Sequence, residues 1–343
     1  MTPSRPRLTE VDQLRGIAAL AVTWFHLTNQ YPEASWVRQS GFHGWLGVEV
    51  FFVISGFVLP WALFGSGYSV QRDFGRFMAR RLIRLEPPYL VSIVLVILLW
   101  YASAAMPGFA GKPPDLSAVQ VASHLGYLTG LLGEAWLSPV YWTLAIEFQF
   151  YLLLAMTLPI WLHPRPLVPL IASAMICALG AVVSDKLLPH YWAYFAMGIA
   201  VFRARVGLDS SAQLLAACTL MAAILVALGR MPLAAAVGLG AVLVLSVPRH
   251  IPSVALLRWL GAISFSLYLV HVPIGGRVVN LMSRLGDSTT IQFVASLMAL
   301  ALSLLAAQVF WWLIERPSMR WAASLPLVRR DAASHTPAVG STR

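Results

Sequence analysis

Apolar stretches of membrane-spanning length recur ten times along this chain, and nothing else constrains its fold so strongly. They run over residues 14–29, 45–64, 88–106, 141–162, 167–184, 190–203, 212–228, 232–247, 257–281 and 291–314. A bilayer core asks for about 20 predominantly apolar residues per helix, and in lipid only helices and closed barrels satisfy their own backbone polar groups. Long continuous runs without an alternating pattern favour helices. The composition agrees, with 59% apolar residues, 11% charged residues and a mean hydropathy of +0.73; soluble domains carry about 25% charged residues. We therefore expect an all-α polytopic integral membrane protein of about ten transmembrane helices. No small-residue cleavage site follows the first stretch, which reads as a retained helix. The segment 107–140, with "PGFAGKPPD", reads as an outer loop carrying a re-entrant or interfacial piece. One membrane domain is expected over 8–320, and 321–343 reads as a disordered cytoplasmic tail, small, polar and Pro-containing.

The formal net charge is +10, yet the arginines are dispersed among short loops, which argues for a membrane surface and against nucleic acid. With an inside N-terminus, 18 of the 24 Lys and Arg residues fall on the inner side and six on the outer. The inner set is Arg5, Arg7, Arg15, Arg72, Arg76, Arg80, Arg81, Arg84, Arg165, Arg203, Arg205, Arg249, Arg258, Arg316, Arg320, Arg329, Arg330 and Arg343. This bias predicts both termini in the cytoplasm and a multi-pass protein of the inner (plasma) membrane. Thirteen Trp and ten Tyr suit a chain with two interfaces to anchor. Cys177 and Cys218 fall within apolar stretches and read as buried thiols, outside any disulfide or metal site.

Polar residues inside the spans are where function is expected. "DQLRGIAALAVTWFHL" carries Asp12, Arg15 and His26. Three and eleven residues both return to one face of a helix, and His26 lies roughly 16 Å beyond Arg15 at 1.5 Å per residue. With alternating spans, Glu49, Glu147 and His271 come to a depth similar to that of His26, which suggests one polar chamber open to the outside. On the inner side, "FMARRLIRLEPPYL" places Arg81 and Arg84 on one face of a juxtamembrane helix, with Arg80 beside them. Planar guanidinium forks suit phosphate oxygens, although inner-side arginines also anchor lipid headgroups.

These residues carry a resemblance. The Arg15–His26 spacing, "GVEVFFVISGF", "RRLIRLEPPY", "WTLAIEFQFY", "GAISFSLYLVHVP" and "IERP" resemble, in order, the motifs of the integral-membrane acyltransferase-3 family. The resemblance implies ten spans, a cytoplasmic N-terminus and an O-acyltransferase, with acetyl-CoA or another acyl-CoA as donor substrate and no bound cofactor or metal. The acceptor it implies is a hydroxyl of a polysaccharide, of peptidoglycan or of a small molecule such as a macrolide. His26 and Arg15 would be functional, and Arg81 and Arg84 would contact the donor. The chain departs from the family pattern with Glu49 where Asp is usual and Glu86, beside the expected phosphate site, where an aromatic is common. No soluble esterase-like domain is attached, so transfer is expected to finish within the membrane unit.

Together these readings give an expected mechanism. Acyl-CoA docks on Arg81 and Arg84 and presents its thioester to His26, which acts as general base or as acyl carrier; either role needs a neutral imidazole. Glu147 or Glu49 orients His26, Trp142 and Tyr151 line the acceptor side, and Arg15 with Asp12 fixes the first helix or meets the donor arm. A proton-coupled transporter would also hold His and Glu at membrane depth, but it more often shows two related halves, and no internal repeat is evident. A non-catalytic scaffold in polysaccharide export leaves His26 and the arginine pair without a purpose.

Overall fold

The computed structural model describes residues 8–109, 111–247 and 252–328. Among them every regular element is helical: α1 (Thr9–Thr28), α2 (Trp36–Gly41), α3 (Gly47–Leu63), α4 (Val70–Ala104), α5 (Ala118–Leu125), α6 (Tyr141–Trp161), α7 (Leu167–Gly180), α8 (Trp192–Arg205), α9 (Ser211–Ala227), α10 (Pro232–Ser246), α11 (Ala255–Ala262), α12 (Ser264–Met282), α13 (Thr289–Phe310) and α14 (Arg316–Ser324). Nine of the ten apolar stretches fall largely on one helix each, and the other, the ninth, on two. Among the described residues five helical stretches are long and apolar enough to cross a membrane: Trp36–Leu63, Val70–Ala104, Tyr141–Trp161, Ser264–Leu285 and Thr289–Ser324. α7, α9 and α10 are apolar but shorter.

Three details differ from the pattern read in the sequence. The third span and the arginine-bearing segment before it form one helix, α4, which runs through Pro87 and Pro88. The ninth stretch divides at Ile263 into α11 and α12. α14 reaches Ser324, four residues into the expected tail. The tail from 329 onward lies outside the described residues, as do Arg5, Arg7, Arg249, Arg329, Arg330 and Arg343 of the charge asymmetry.

α8 is the centre of the bundle, with Trp192 through Arg203 all buried. It meets α3 backbone to backbone: a methyl on Gly198 would collide with the Val53 carbonyl, and one on Gly56 with the Phe195 carbonyl. Lipid supplies little hydrophobic drive between helices, so such close approach through small residues is how they gain dispersion contact. α1 lies against α11 in the same way, with Gly16 beside the Leu257 carbonyl and Gly261 against the Asp12 carbonyl.

Ion pairs fix the end of α8. Arg203 is 1% exposed, so its charge must be fully partnered. It donates to both Asp209 carboxylate oxygens at 2.7 Å and to the Trp161 and His163 carbonyls at 2.7 and 2.9 Å, which closes the end of α6. Arg205 reaches Glu10 of α1 at 2.6 Å.

The segment between α4 and α6 packs against the bundle through His124 and Tyr127. His124 is fully buried, donating from Nδ1 to the Gln120 carbonyl at 2.7 Å and accepting at Nε2 from the Leu137 amide at 3.1 Å. Tyr127 stacks on Tyr89, near the middle of α4, and on Phe148 of α6, with centroids 5.1 and 5.0 Å apart. Both thiols, Cys177 and Cys218, are buried.

Candidate functional site

α1, α3, α4, α6 and α12 converge on one cavity with about 910 Å³ of atom-free space, counting its open mouth. Arg15, Arg81 and Arg84 all line it, together with Glu147 and Tyr151. The i, i+3 spacing of Arg81 and Arg84 on α4 puts both guanidinium groups on the same wall. The Arg81 guanidinium lies over the rings of Phe77 and Tyr151, 5.4 and 5.6 Å from their centroids, which holds a long side chain in place. Three cations against one lining carboxylate make a chamber that suits an anionic guest.

Hydrogen bonds organise the acid. Glu147 Oε1 accepts from Tyr151 Oη at 2.6 Å and from Ser55 Oγ at 2.9 Å. Arg15 Nε donates to Ser264 Oγ at 3.3 Å, at the start of α12, and the charges reaching Arg15 are those of Arg84, Glu315, Glu147 and Asp12. Glu315, 3% exposed, accepts from the Ser266 amide at 3.1 Å and from Ser266 Oγ at 2.5 Å. It is delivered there by a π-helical turn, Trp311–Glu315, between α13 and α14. Such turns rotate a side chain off the α-helical register and recur at functional sites.

Beyond the cavity lie two imidazoles. Tyr268 lines the cavity, bonds Thr143 Oγ1 at 2.7 Å and packs its ring 6.0 Å from that of His271. The His26 ring follows, 5.2 Å from His271. His271 is fully buried, and its Nδ1 lies 2.9 Å from the Leu267 carbonyl. A carbonyl only accepts, so Nδ1 carries the proton and Nε2 is left with a lone pair. That Nε2 has no hydrogen-bond partner among the described residues. Cations, a buttressed carboxylate and two imidazoles in sequence fit group transfer from an anionic donor.

A family model described as an acyltransferase domain matches residues 8–314. The chain belongs to the acyltransferase-3 family. It is 30% identical to BcsY of Komagataeibacter xylinus, by name a membrane-bound transacylase, over 95% of this chain and 86% of that one. Similarity to the O-acetyltransferase OatA of Staphylococcus aureus is 30% over 51% of this chain and 29% of the relative. The acyltransferase MdmB of Streptomyces mycarofaciens is 33% identical over 52% of this chain and 47% of its own length. The chain thus spans less than half of OatA or MdmB. No solved structure matches it. The family and its named relatives are acyltransferases, and a membrane-bound acyltransferase is what this chain is.

The residues expected from sequence divide between this cavity and its surroundings. Arg15, Arg81, Arg84, Glu147 and Tyr151 share the cavity, and His26 and His271 stand side by side. The single chamber of His26, Glu49, Glu147 and His271 is not formed. Glu147 belongs with the arginines, and Glu49 does not line the cavity. Glu49 is 7% exposed, and the charges and phenols acting around it are those of Arg230, Tyr191, Tyr194 and Tyr268. A shared depth, as expected from the sequence, says nothing of the side of α3 from which a residue projects. Trp142 and Tyr151 do not share an acceptor wall: Tyr151 sits between Glu147 and Arg81, while Trp142 lines a second cavity. Arg80 turns away to donate to the Leu325 carbonyl at 3.1 Å. Glu86 does not line the cavity that Arg81 and Arg84 share. Asp12 stays beside Arg15 as a charge, one turn earlier on α1. Glu315 is the residue that sequence reasoning passed over; its only signal was its place in "IERP". Among the described residues no three His, Cys, Asp or Glu side chains gather as a metal site.

Proposed function

We propose that this acyltransferase moves an acyl group, acetyl in the simplest case, from acyl-CoA to a hydroxyl of a cell-surface or exported polysaccharide. The observation that carries the reading is the meeting of Arg15, Arg81 and Arg84 in one cavity whose Tyr268 wall adjoins the His26–His271 pair. The donor's phosphates bind Arg81 and Arg84 through charge-assisted hydrogen bonds, and the pantetheine arm runs past Arg15 and Glu147 toward Tyr268. His26 removes the proton of the acceptor hydroxyl. The oxygen attacks the thioester carbonyl, an ester C–O bond forms and the C–S bond breaks. The departing CoA thiolate takes up a proton from the imidazolium, which restores His26. Ten crossings of the inner membrane with both termini in the cytoplasm place the arginines on the CoA side and His26 toward the acceptor.

The test is release of free CoA by the purified protein in lipid nanodiscs. Acetyl-CoA is supplied with candidate polysaccharides and, separately, with a macrolide. Release that depends on a polysaccharide and is lost in His26→Gln supports the proposal. Acceptor-dependent release with the macrolide alone moves the acceptor to small molecules. Neither acyl-CoA binding nor release, together with pH-driven uptake of solute by proteoliposomes, would replace the reading with a transporter.

A further inference from the structure

The second cavity sits where the folded-back segment 107–140 meets the turn after α7, with about 700 Å³ of atom-free space counting its mouth. Its floor is Tyr127, held by its stacking on Tyr89 and Phe148. Tyr127 has φ 57°, a left-handed conformation that costs a non-glycine residue. The walls are Trp136, Trp142 and Tyr191, each half-buried, and Trp142 and Tyr191 lie 5.2 Å apart at 37°. Asp185 and Lys186 are exposed at the rim. Gly130 lies at the mouth beside Trp136 and Lys186, which a methyl there would meet at 3.4 and 3.7 Å, ordinary contact distances.

We infer that this cavity binds a pyranose ring of the acceptor. The inference rests on the acyltransferase reading and gives its polysaccharide acceptor a place to bind. A pyranose has apolar C–H faces and a girdle of hydroxyls. Half-buried aromatic faces take the former, and a carboxylate beside an ammonium takes the latter by accepting and donating hydrogen bonds. A lipid tail would leave Asp185 and Lys186 without a purpose, and a phosphorylated guest would meet the Asp185 charge. The cavity is also placed to serve the first one. Phe52 lines the arginine cavity and also meets Trp142 and Tyr191, at 6.5 and 5.5 Å between centroids, while stacking on Phe195 at 4.8 Å. One aromatic ring separates the two spaces.

Saturation-transfer NMR on the protein in nanodiscs, free of glycosidic detergents, tests this directly. The probes are the methyl α- and β-pyranosides of glucose, galactose, mannose and N-acetylglucosamine, with erythromycin as a macrolide bearing its own sugars. At least one pyranoside is expected to receive saturation on its ring C–H protons. Trp142→Ala should weaken its binding roughly three- to tenfold, the size of one lost aromatic contact. Trp142→Phe should retain most of the binding, which separates a lost face from a lost fold. Lys186→Ala, at the exposed rim, should weaken it as well, and Arg84→Ala should leave it unchanged. No saturation of any pyranoside, or equal saturation in wild type and Trp142→Ala, overturns the inference, as does saturation of erythromycin confined to its lactone methyls. Because the readout needs no acyl-CoA, sugar binding without donor binding would sink the transfer reaction and leave this site standing.

Discussion

His26 of α1 and His271 of α12 lie ring against ring, 5.2 Å between centroids with planes at 47°. His271 has its Nδ1 proton committed to the Leu267 carbonyl, so its orientation is fixed by its own helix. His26 is half-buried and packs against both Phe25 and His271, which leaves it the more accessible imidazole. His26→Ala is expected to retain donor binding while turnover falls at least about 10²-fold, the lower bound for losing a positioned general base. His26→Gln keeps hydrogen bonding without basicity and should be equally inactive. Near-parental turnover in His26→Gln would make the residue structural. The measurement is acceptor-dependent CoA release alongside acyl-CoA binding.

Arg84 and Arg80 differ by four residues and by destination. Arg84 lines the cavity, whereas Arg80 binds the Leu325 carbonyl. Arg84→Ala should weaken acyl-CoA binding by roughly 1.5–3 kcal/mol, the range for a hydrogen bond to a charged group, or about tenfold to over a hundredfold. Arg84→Lys should recover only part, because the planar fork is gone. Arg80→Ala should leave donor affinity close to wild type. Equal effects at the two positions in a calorimetric titration would return both to lipid anchoring.

What was legible in the sequence was local. An eleven-residue spacing put Arg15 and His26 on one face of α1, and both do reach α12, at Ser264 and His271. The three-residue spacing of Arg81 and Arg84 likewise survived the fusion of their segment with the third span. For Glu49 the sequence offered a position along the helix but no direction, because which side of α3 faces what depends on how α3 packs on α8 at Gly56 and Gly198, a tertiary fact. Glu315 was hidden for another reason: a π turn breaks the 3.6-residue period on which facing is predicted. The aromatic cavity depends on Tyr127 of an irregular segment, where no periodicity exists to read.

Glu315 gives a prediction about the integrity of the site. It is the acceptor of both the Ser266 amide and the Ser266 hydroxyl, and its charge reaches Arg15. Glu315→Ala strands a buried amide and should destabilise the protein by about 1–3 kcal/mol. Glu315→Gln retains an acceptor and should recover part of that loss. Since Arg15 loses a countercharge as well, Arg15→Met on the Glu315→Ala background should cost less than Arg15→Met alone. Additive effects in thermal unfolding would show that the two charges are independent.

The sidedness of the site is open to labelling. The native thiols make a quiet background, since Cys177 and Cys218 are 1% and 2% exposed. Asp115, exposed in the segment after α4, belongs to the His26 side of the proposed topology. The turn between α8 and α9 belongs to the arginine side, anchored by Arg203 and Asp209. Gly207 in that turn has φ 77°, which a side chain would strain, so Ser211 at the start of α9, also exposed, is the better probe. A membrane-impermeant maleimide applied to intact cells should label Asp115→Cys and spare Ser211→Cys until the membrane is opened. The reverse pattern would put Arg81 and Arg84 on the outer face, away from cytoplasmic CoA, and the proposed direction of transfer would fall with it.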